Sequence, residues 1–281
     1  MYDAASLSDI GRLQRANGEL RIAFRRRGDA TVLDDLRQVS CLQARFPRVE
    51  PEAWTTAVIL NTSGGVAGGD RLDTALHVSE GARATITTQA AERFYRVMHG
   101  SDAAHVRTRI TVAPYASMEW LPQETLLFDR CNVDRRLDVE LSDDACFLGV
   151  ESLVFGRTAM GEHVRHGRLR DLIHVRRGGR LLLHDAIRLD GGIDALLARK
   201  AVSGGARAVA TMVHVAPDAE ATLDHVRAAL ADVPAEGGAS AWNGMLLTRI
   251  LATTAAALRS AVVAVLATLR GPRPLPRVWQ C

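Results

Sequence analysis

Apolar residues recur at every second position along most of the chain. Leu20, Ile22 and Phe24 alternate with polar neighbours. So do Leu72, Thr74, Leu76 and Val78, then Ala84, Ile86 and Thr88, then Val106, Thr108, Ile110 and Val112. Val133, Leu137, Val139 and Leu141 share a face, as do Val209, Thr211, Val213 and Val215, and Met118 and Trp120 point one way. Period two predicts half-buried strands. Cys146 to Val150 is apolar on both faces, as a central strand would be. Turn chemistry separates these runs. Arg27-Gly28-Asp29 precedes a strand at Thr31-Val32-Leu33, Pro114 stops another, and Leu42 to Pro47 leads into a loop ending at Pro51. Gly178-Gly179 and Asn243-Gly244 each stand between two apolar runs and predict hairpins.

Helical spacing enters only late. Ala221, Leu223, Val226 and Leu230 predict a helix over 218–231 with Asp218 as its cap. Leu258, Val262, Val265, Leu266 and Leu269 predict a second over 254–270, which Gly271 ends and Pro272, Pro274 and Pro276 keep from resuming. The ending Leu275-Pro276-Arg277-Val278-Trp279 reads as extended, with an exposed aromatic. Residues 1–18 are polar and small and read as a flexible N-terminal tail. No linker or fixed-period repeat breaks the remainder, so 19–281 is expected to be a single domain. The fold expected is mainly β: a large single-domain stacked-sheet or β-helical architecture with two helices in the C-terminal part.

Composition narrows the function classes. The 281 residues are 47% hydrophobic and 24% charged, ordinary for a globular protein, but only 5% aromatic, so Leu, Val and Ala must fill the core. The net charge of +3 comes from arginine, with Lys200 the single lysine. Arg25-Arg26-Arg27, the densest basic run, has no interleaved aromatics to stack on bases, so no nucleic-acid role is expected. Cys41, Cys131, Cys146 and Cys281 lie far apart and form no CxxC, which argues against a zinc ribbon. No apolar run of membrane-spanning length and no apolar leader segment occurs, so a cytoplasmic protein with reduced thiols is expected.

The stretch most loaded with special residues is Asn61-Thr62-Ser63-Gly64-Gly65-Val66-Ala67-Gly68-Gly69-Asp70. A dinucleotide fingerprint would open a helix, whereas a period-two strand follows here; a P-loop would end in Gly-Lys-Ser or Gly-Lys-Thr, whereas Gly69 is followed by Asp70. The loop therefore reads as a strand-to-strand connection presenting Asp70. No Gly-x-Ser-x-Gly elbow is present. His163 and His166 could bring two imidazoles together as a metal site but, beside Glu162, Arg165 and Arg168, read rather as a polar surface turn; His174 and His184 read as a packed pair facing each other across the Gly178-Gly179 hairpin. Three carboxylates stand at the ends of segments expected to be buried or close-packed: Asp70, Glu151 and Glu162. A buried carboxylate needs a partner or a cation. Salt bridges of Glu151 or Asp70 with Arg157, or of Asp70 with Arg71, would satisfy that need, and so would a bound cation. Glu151 and Glu162 as the acid–base pair of a β-rich hydrolase is the alternative.

Five segments, taken in order, resemble the urease accessory protein D family (UreD/UreH). They are Leu60 to Asp70, Thr87-Thr88-Gln89-Ala90-Ala91-Glu92-Arg93-Phe94-Tyr95-Arg96, Trp120 to Asp129, Phe155-Gly156-Arg157-Thr158-Ala159-Met160-Gly161-Glu162, and Leu275 to Trp279. Gly18-Glu19-Leu20 and Leu42 to Pro47 also fit. Ala67, where a larger aliphatic is expected, and the charged pair Glu92-Arg93 depart from the pattern. The resemblance implies a β-rich protein that is not an enzyme and has no tightly bound cofactor. It implies a nickel-insertion chaperone subunit that binds UreF-type and UreG-type accessory proteins and apo-urease and passes Ni²⁺ through an internal tunnel. Asp70, Glu151 and Glu162 are then the expected transient Ni²⁺ ligands, and partners cover the apolar tail at Trp279.

Overall fold

A computed structural model of the protein describes residues 15–49, 53–98, 102–157 and 161–280. The expected tail lies outside the described residues over 1–14, and its last two positions, Asn17 and Gly18, are already strand. Thr158-Ala159-Met160 of the fourth motif also lie outside them.

The strands in chain order are β1 (Asn17–Arg27), β2 (Ala30–Val39), β3 (Leu42–Arg45), β4 (Thr55–Asn61), β5 (Arg71–Val78), β6 (Arg83–Thr88), β7 (Glu92–Phe94), β8 (Ala104–Val112) and β9 (Ser117–Leu121). There follow β10 (Thr125–Leu127), β11 (Asn132–Leu141), β12 (Cys146–Phe155), β13 (Gly167–Arg177), β14 (Arg180–Gly191), β15 (Ala208–Val215), β16 (Glu236–Trp242) and β17 (Met245–Ala252). Among the described residues, three α-helices are interspersed: α1 (Ile193–Leu197), α2 (Leu223–Ala231) and α3 (Ala255–Arg270). The protein is mainly β, as the alternation predicts.

Among the described residues, the strands form two sheets. One has seven strands in the order β14-β13-β11-β8-β5-β1-β2. The other has ten, in the order β16-β17-β15-β12-β9-β6-β4-β3, with β10 and β7 attached beside β12. The middle of each is parallel. Parallel neighbours need a crossover connection. Here a strand of the other sheet serves as the crossover. From β5 to β13 the chain passes back and forth between the sheets, with only β7 and β10 staying in the sheet of the strand before them, where they pair with each other. The result is two stacked sheets wound in a β-helical manner.

Three tight corners carry the chain across. In each, the amide of a buried alanine (Ala82, Ala116 or Ala145) donates to the carbonyl three residues earlier, at 3.0–3.2 Å. The corners also stack: Ser117 N–H donates to the Ala82 carbonyl at 3.0 Å and Cys146 N–H to the Ala116 carbonyl at 2.9 Å. They form a structural repeat at unequal spacing, so no fixed period shows in the sequence.

Two apolar cores result. The larger lies between the sheets and holds Phe24, Ile86, Trp120, Phe147 and Val175. The second lies between the ten-stranded sheet and α2 and α3, where Leu258, Val262, Val265 and Leu266 pack on Ala210, Met212 and Ile250. Each fully buried aliphatic of that stripe contributes about 1.5–3 kcal/mol of transfer free energy. Thr254 caps α3 by accepting from Ala257 N–H at 3.1 Å, and Gly271, with φ 59°, ends it. The seven-stranded sheet keeps its other face in water, and arginines, acids and histidines occupy it.

Several expectations are corrected. Residues 218–222 form turns, and α2 begins at Leu223 without a side-chain cap. The short helix α1 was not expected, although Gly191-Gly192 followed by Ile193, Leu196 and Leu197 at helical spacing signals it. Trp279 is not exposed: it is 6% accessible, and its Nε1–H donates to Thr87 Oγ1 and the Leu121 carbonyl at 3.2 and 3.1 Å. The protein's own sheet already covers Trp279, while Leu275 and Val278 of the tail stay partly exposed.

Candidate functional site

The five separated segments converge. The glycine loop pairs with the second segment: Val66 N–H donates to the Arg93 carbonyl at 2.7 Å, Tyr95 N–H to the Val66 carbonyl at 2.9 Å, and Tyr95 OH to the Gly64 carbonyl at 2.8 Å. Close packing explains the glycine at 65, which has φ 140° and whose added Cβ would come within 2.5 Å of the Tyr95 ring. β10 of the third segment lies in parallel register between β7 and β12, so Thr125 stands beside both Glu92 and Leu153. Gly156 N–H donates to the Leu127 carbonyl at 2.8 Å, which joins the fourth segment. Gln123 Nε2 donates to the Val278 carbonyl at 3.0 Å, and Arg259 reaches Gln123, Glu124 and the Trp279 carbonyl at 2.7–2.9 Å, which joins the last.

A cavity lies between the sheets at this junction. Water-sized molecules have about 90 Å³ of space in it, and its wall includes Thr88, Glu92, Trp120, Thr125, Arg135 and Glu151. Arg135 comes from the apolar face of β11, between Val133 and Leu137. It donates to Asp171 on β13 through Nε and Nη2, at 2.8 and 2.9 Å, and to Thr125 at 2.8 Å. It also meets Glu151 of the other sheet at 2.7 Å. Glu151 accepts from Trp120 Nε1–H at 2.7 Å as well. One guanidinium thus faces two carboxylates, and the cluster carries a negative excess when both are ionised. Burial works against the charge of Arg135, but Asp171 and Glu151 more than offset this and hold its proton firmly. Burial pushes the Glu151 carboxyl above the usual range; Arg135 pulls the other way and Asp171 adds to the rise. Burial also raises Glu92, against hydrogen bonds from Asn61 Nδ2 at 3.2 and 3.3 Å and from the Arg93 backbone N–H.

The three carboxylates singled out in the sequence have separate partners. Asp70 is 5% accessible and accepts from Ala16 N–H at 2.8 Å and Ala67 N–H at 2.7 Å, so it ties its own loop to the start of β1. Glu151 belongs to the buried cluster. Glu162 accepts from Arg157 Nε at 2.5 Å, and that guanidinium lies 4.5 Å from the centre of the Phe128 ring. The expected bridges from Arg157 to Asp70 or Glu151 and from Arg71 to Asp70 give way to these pairings. Among the described residues, no group of three or more His, Cys, Asp and Glu side chains is arranged to hold a metal ion.

A second buried charge cluster escaped the sequence reading. Glu119, 1% accessible on β9, accepts from Arg270 Nε and Nη2 at 3.0 and 3.1 Å, from Arg273 at 2.5 Å and from Thr85 Oγ1 at 2.6 Å. It faces the helical layer, opposite Met118 and Trp120, so two-layer alternation placed it in solvent. Arg135 and Asp171 were also missed, although each breaks the apolar face of its strand, and that break is a readable signal.

Comparison with known proteins decides what this junction belongs to. The family described as UreD urease accessory protein matches residues 16–280. The chain belongs to this UreD family. "Urease accessory protein UreD" of Methylobacterium sp. (strain 4-46) is 46% identical over 275 residues, 96% of each chain. "Urease accessory protein UreD 2" of Methylorubrum populi is 46% identical over 275 residues, 95% of this chain and 91% of the relative. The Azorhizobium caulinodans protein of the first name is 44% identical over 268 residues, 95% of this chain and 97% of the relative. In this UreD-family chain, Glu92, a departure from the expected pattern, stands on the wall of the inter-sheet cavity. Among the described residues, no helix is long and apolar enough to cross a membrane.

Proposed function

We propose that the protein is a non-catalytic subunit of the cytoplasmic apparatus that loads nickel into urease. It bridges UreF-type and UreG-type accessory proteins to apo-urease and conducts Ni²⁺, its cargo, toward the enzyme's active site. Membership in the UreD family supports the urease role. The observation that carries the finer reading is the cavity between the sheets, where the carboxylates of Glu151 and Glu92 share the wall with the guanidiniums of Arg135 and Arg136. Ni²⁺ accepts carboxylate, water and imidazole ligands, and a conducting path must bind weakly enough to release. Arg135 beside Glu151 and Arg157 beside Glu162 suit that requirement, because each arginine competes with a passing cation for its carboxylate. Asp70 serves the same path by holding the glycine loop in shape.

The test pairs stability with nickel delivery. Glu151→Gln and Thr108→Trp, the latter filling the cavity wall, are compared with the wild-type chain for copurification with UreF and apo-urease and for nickel content of the activated urease. The expected outcome is retained copurification with lowered nickel. Full nickel loading by folded Thr108→Trp would remove the cavity from the path.

A further inference from the structure

The open face of the seven-stranded sheet carries a histidine pair that the urease reading does not use. His174 on β13 stands directly opposite His184 on the edge strand β14. Their rings are 4.5 Å apart, centre to centre, and tilted by 35°. His174 Nε2 and His184 Nδ1 lie 2.6 Å apart, a separation that holds a single shared proton. On the other side of the His174 ring, Nδ1 lies 3.3 Å from Asp138 Oδ1, on the neighbouring strand β11. Arg136 Nη2 is 3.3 Å from the same nitrogen and is itself paired with Asp138 at 2.7 Å, so its charge is offset locally. His184 is exposed and His174 half-buried, so water reaches the pair from the edge of the sheet.

We propose that His174 Nε2 and His184 Nδ1 form a two-imidazole site for a divalent transition-metal ion, with Asp138 orienting His174 and water filling the remaining positions. Imidazole suits nickel, zinc and copper. A metal-bound histidine usually donates its other ring N–H to a carboxylate, and this fixes the ring and strengthens the ligand. Asp138 stands where that acceptor is needed. The proton balance is simple. In the metal-free pair one nitrogen donates to the other. On binding, His174 carries its proton on Nδ1, facing Asp138, while Arg136 gives up its contact with that nitrogen and keeps its own pairing with Asp138; His184 carries its proton on Nε2, so both facing lone pairs are freed without net proton release. Metal–nitrogen bonds of about 2.0–2.1 Å place two ligating nitrogens roughly 3 Å apart. The rings must therefore part by about half an ångström, which an exposed residue on an edge strand permits. A hydrogen-bonded pair that only supports strand pairing would need neither the carboxylate behind it nor access to solvent.

The test uses the purified full chain with nickel(II) or zinc(II) chloride alone, read by calorimetric titration and by the ring ¹⁵N shifts of the histidines. The expected result is one ion per chain at this site, with the shifts of His174 and His184 moving together. His174→Ala and His184→Ala should lose that ion, Asp138→Asn should weaken it about tenfold, and His77→Ala should bind as wild type does. Unmoved ¹⁵N shifts of both rings at saturating metal, or equal binding by folded His184→Ala, would overturn the site. Neither readout depends on urease activation, so the outcome leaves the nickel-loading reading separately testable.

Discussion

Arg135 of the seven-stranded sheet and Glu151 of the ten-stranded sheet meet at 2.7 Å in the interior, and Asp171 holds the same guanidinium at 2.8 Å. The two carboxylates are not equivalent in consequence. Glu151→Gln leaves Arg135 paired with Asp171 and keeps an oxygen for Trp120, so the expected loss is about 1 kcal/mol. Arg135→Met strands two buried carboxylates, and the expected loss is about 3–5 kcal/mol. Denaturant unfolding of both variants checks the ranking; a larger loss for Glu151→Gln would contradict it.

Glu119 ties the C-terminal helix to the sheet. Glu119→Ala leaves Arg270, 5% accessible, without its carboxylate. A loss of about 3–5 kcal/mol is expected, with amide exchange in α3 accelerating before that in β13. Uniform exchange through both elements would show that the helix is held by its apolar stripe instead.

The glycine loop depends on two amide hydrogen bonds to one carboxylate. Asp70→Ala should cost about 1.5–3 kcal/mol, as expected for hydrogen bonds to a charged group. Asp70→Asn should cost less, because one oxygen remains. Limited proteolysis reads the effect directly: cleavage within 61–70 should rise in the order wild type, Asn, Ala.

Glu92 gives stability a pH dependence whose sign follows from its raised carboxyl. A folded-state value above the unfolded one adds stability that is full below the ordinary carboxylate range and is lost as pH rises through the raised value. Glu92→Gln removes the cost of a charge next to the cavity. Its melting temperature should therefore exceed wild type near neutral pH, and the gain should vanish near about pH 4. A gain that is constant with pH would point to packing alone.

The sequence by itself determined the strands, because a half-buried strand writes its burial as period two. Both Gly-Gly and Asn-Gly hairpins, the long helix α3 and the order of the five family segments were legible for similarly local reasons. Even the break at Arg135, between Val133 and Leu137, was present to be read. What the tertiary structure alone decided were relations across layers. Alternation tells that Glu119 and Trp120 face opposite ways, not that a helix covers the Glu119 side, because a third layer leaves no period in the strand beneath it. The winding between sheets was hidden likewise, since its corners recur at unequal spacing and only their stacked hydrogen bonds make them equivalent. The partner of each carboxylate was beyond reach for the same reason. Glu151 finds Arg135 across the sheets, Asp70 finds the amides of Ala16 and Ala67, and Glu162 finds Arg157, because those groups are closest once the backbone is closed. Only where a partner is a local neighbour, as Arg157 is for Glu162, does sequence distance resemble distance in space.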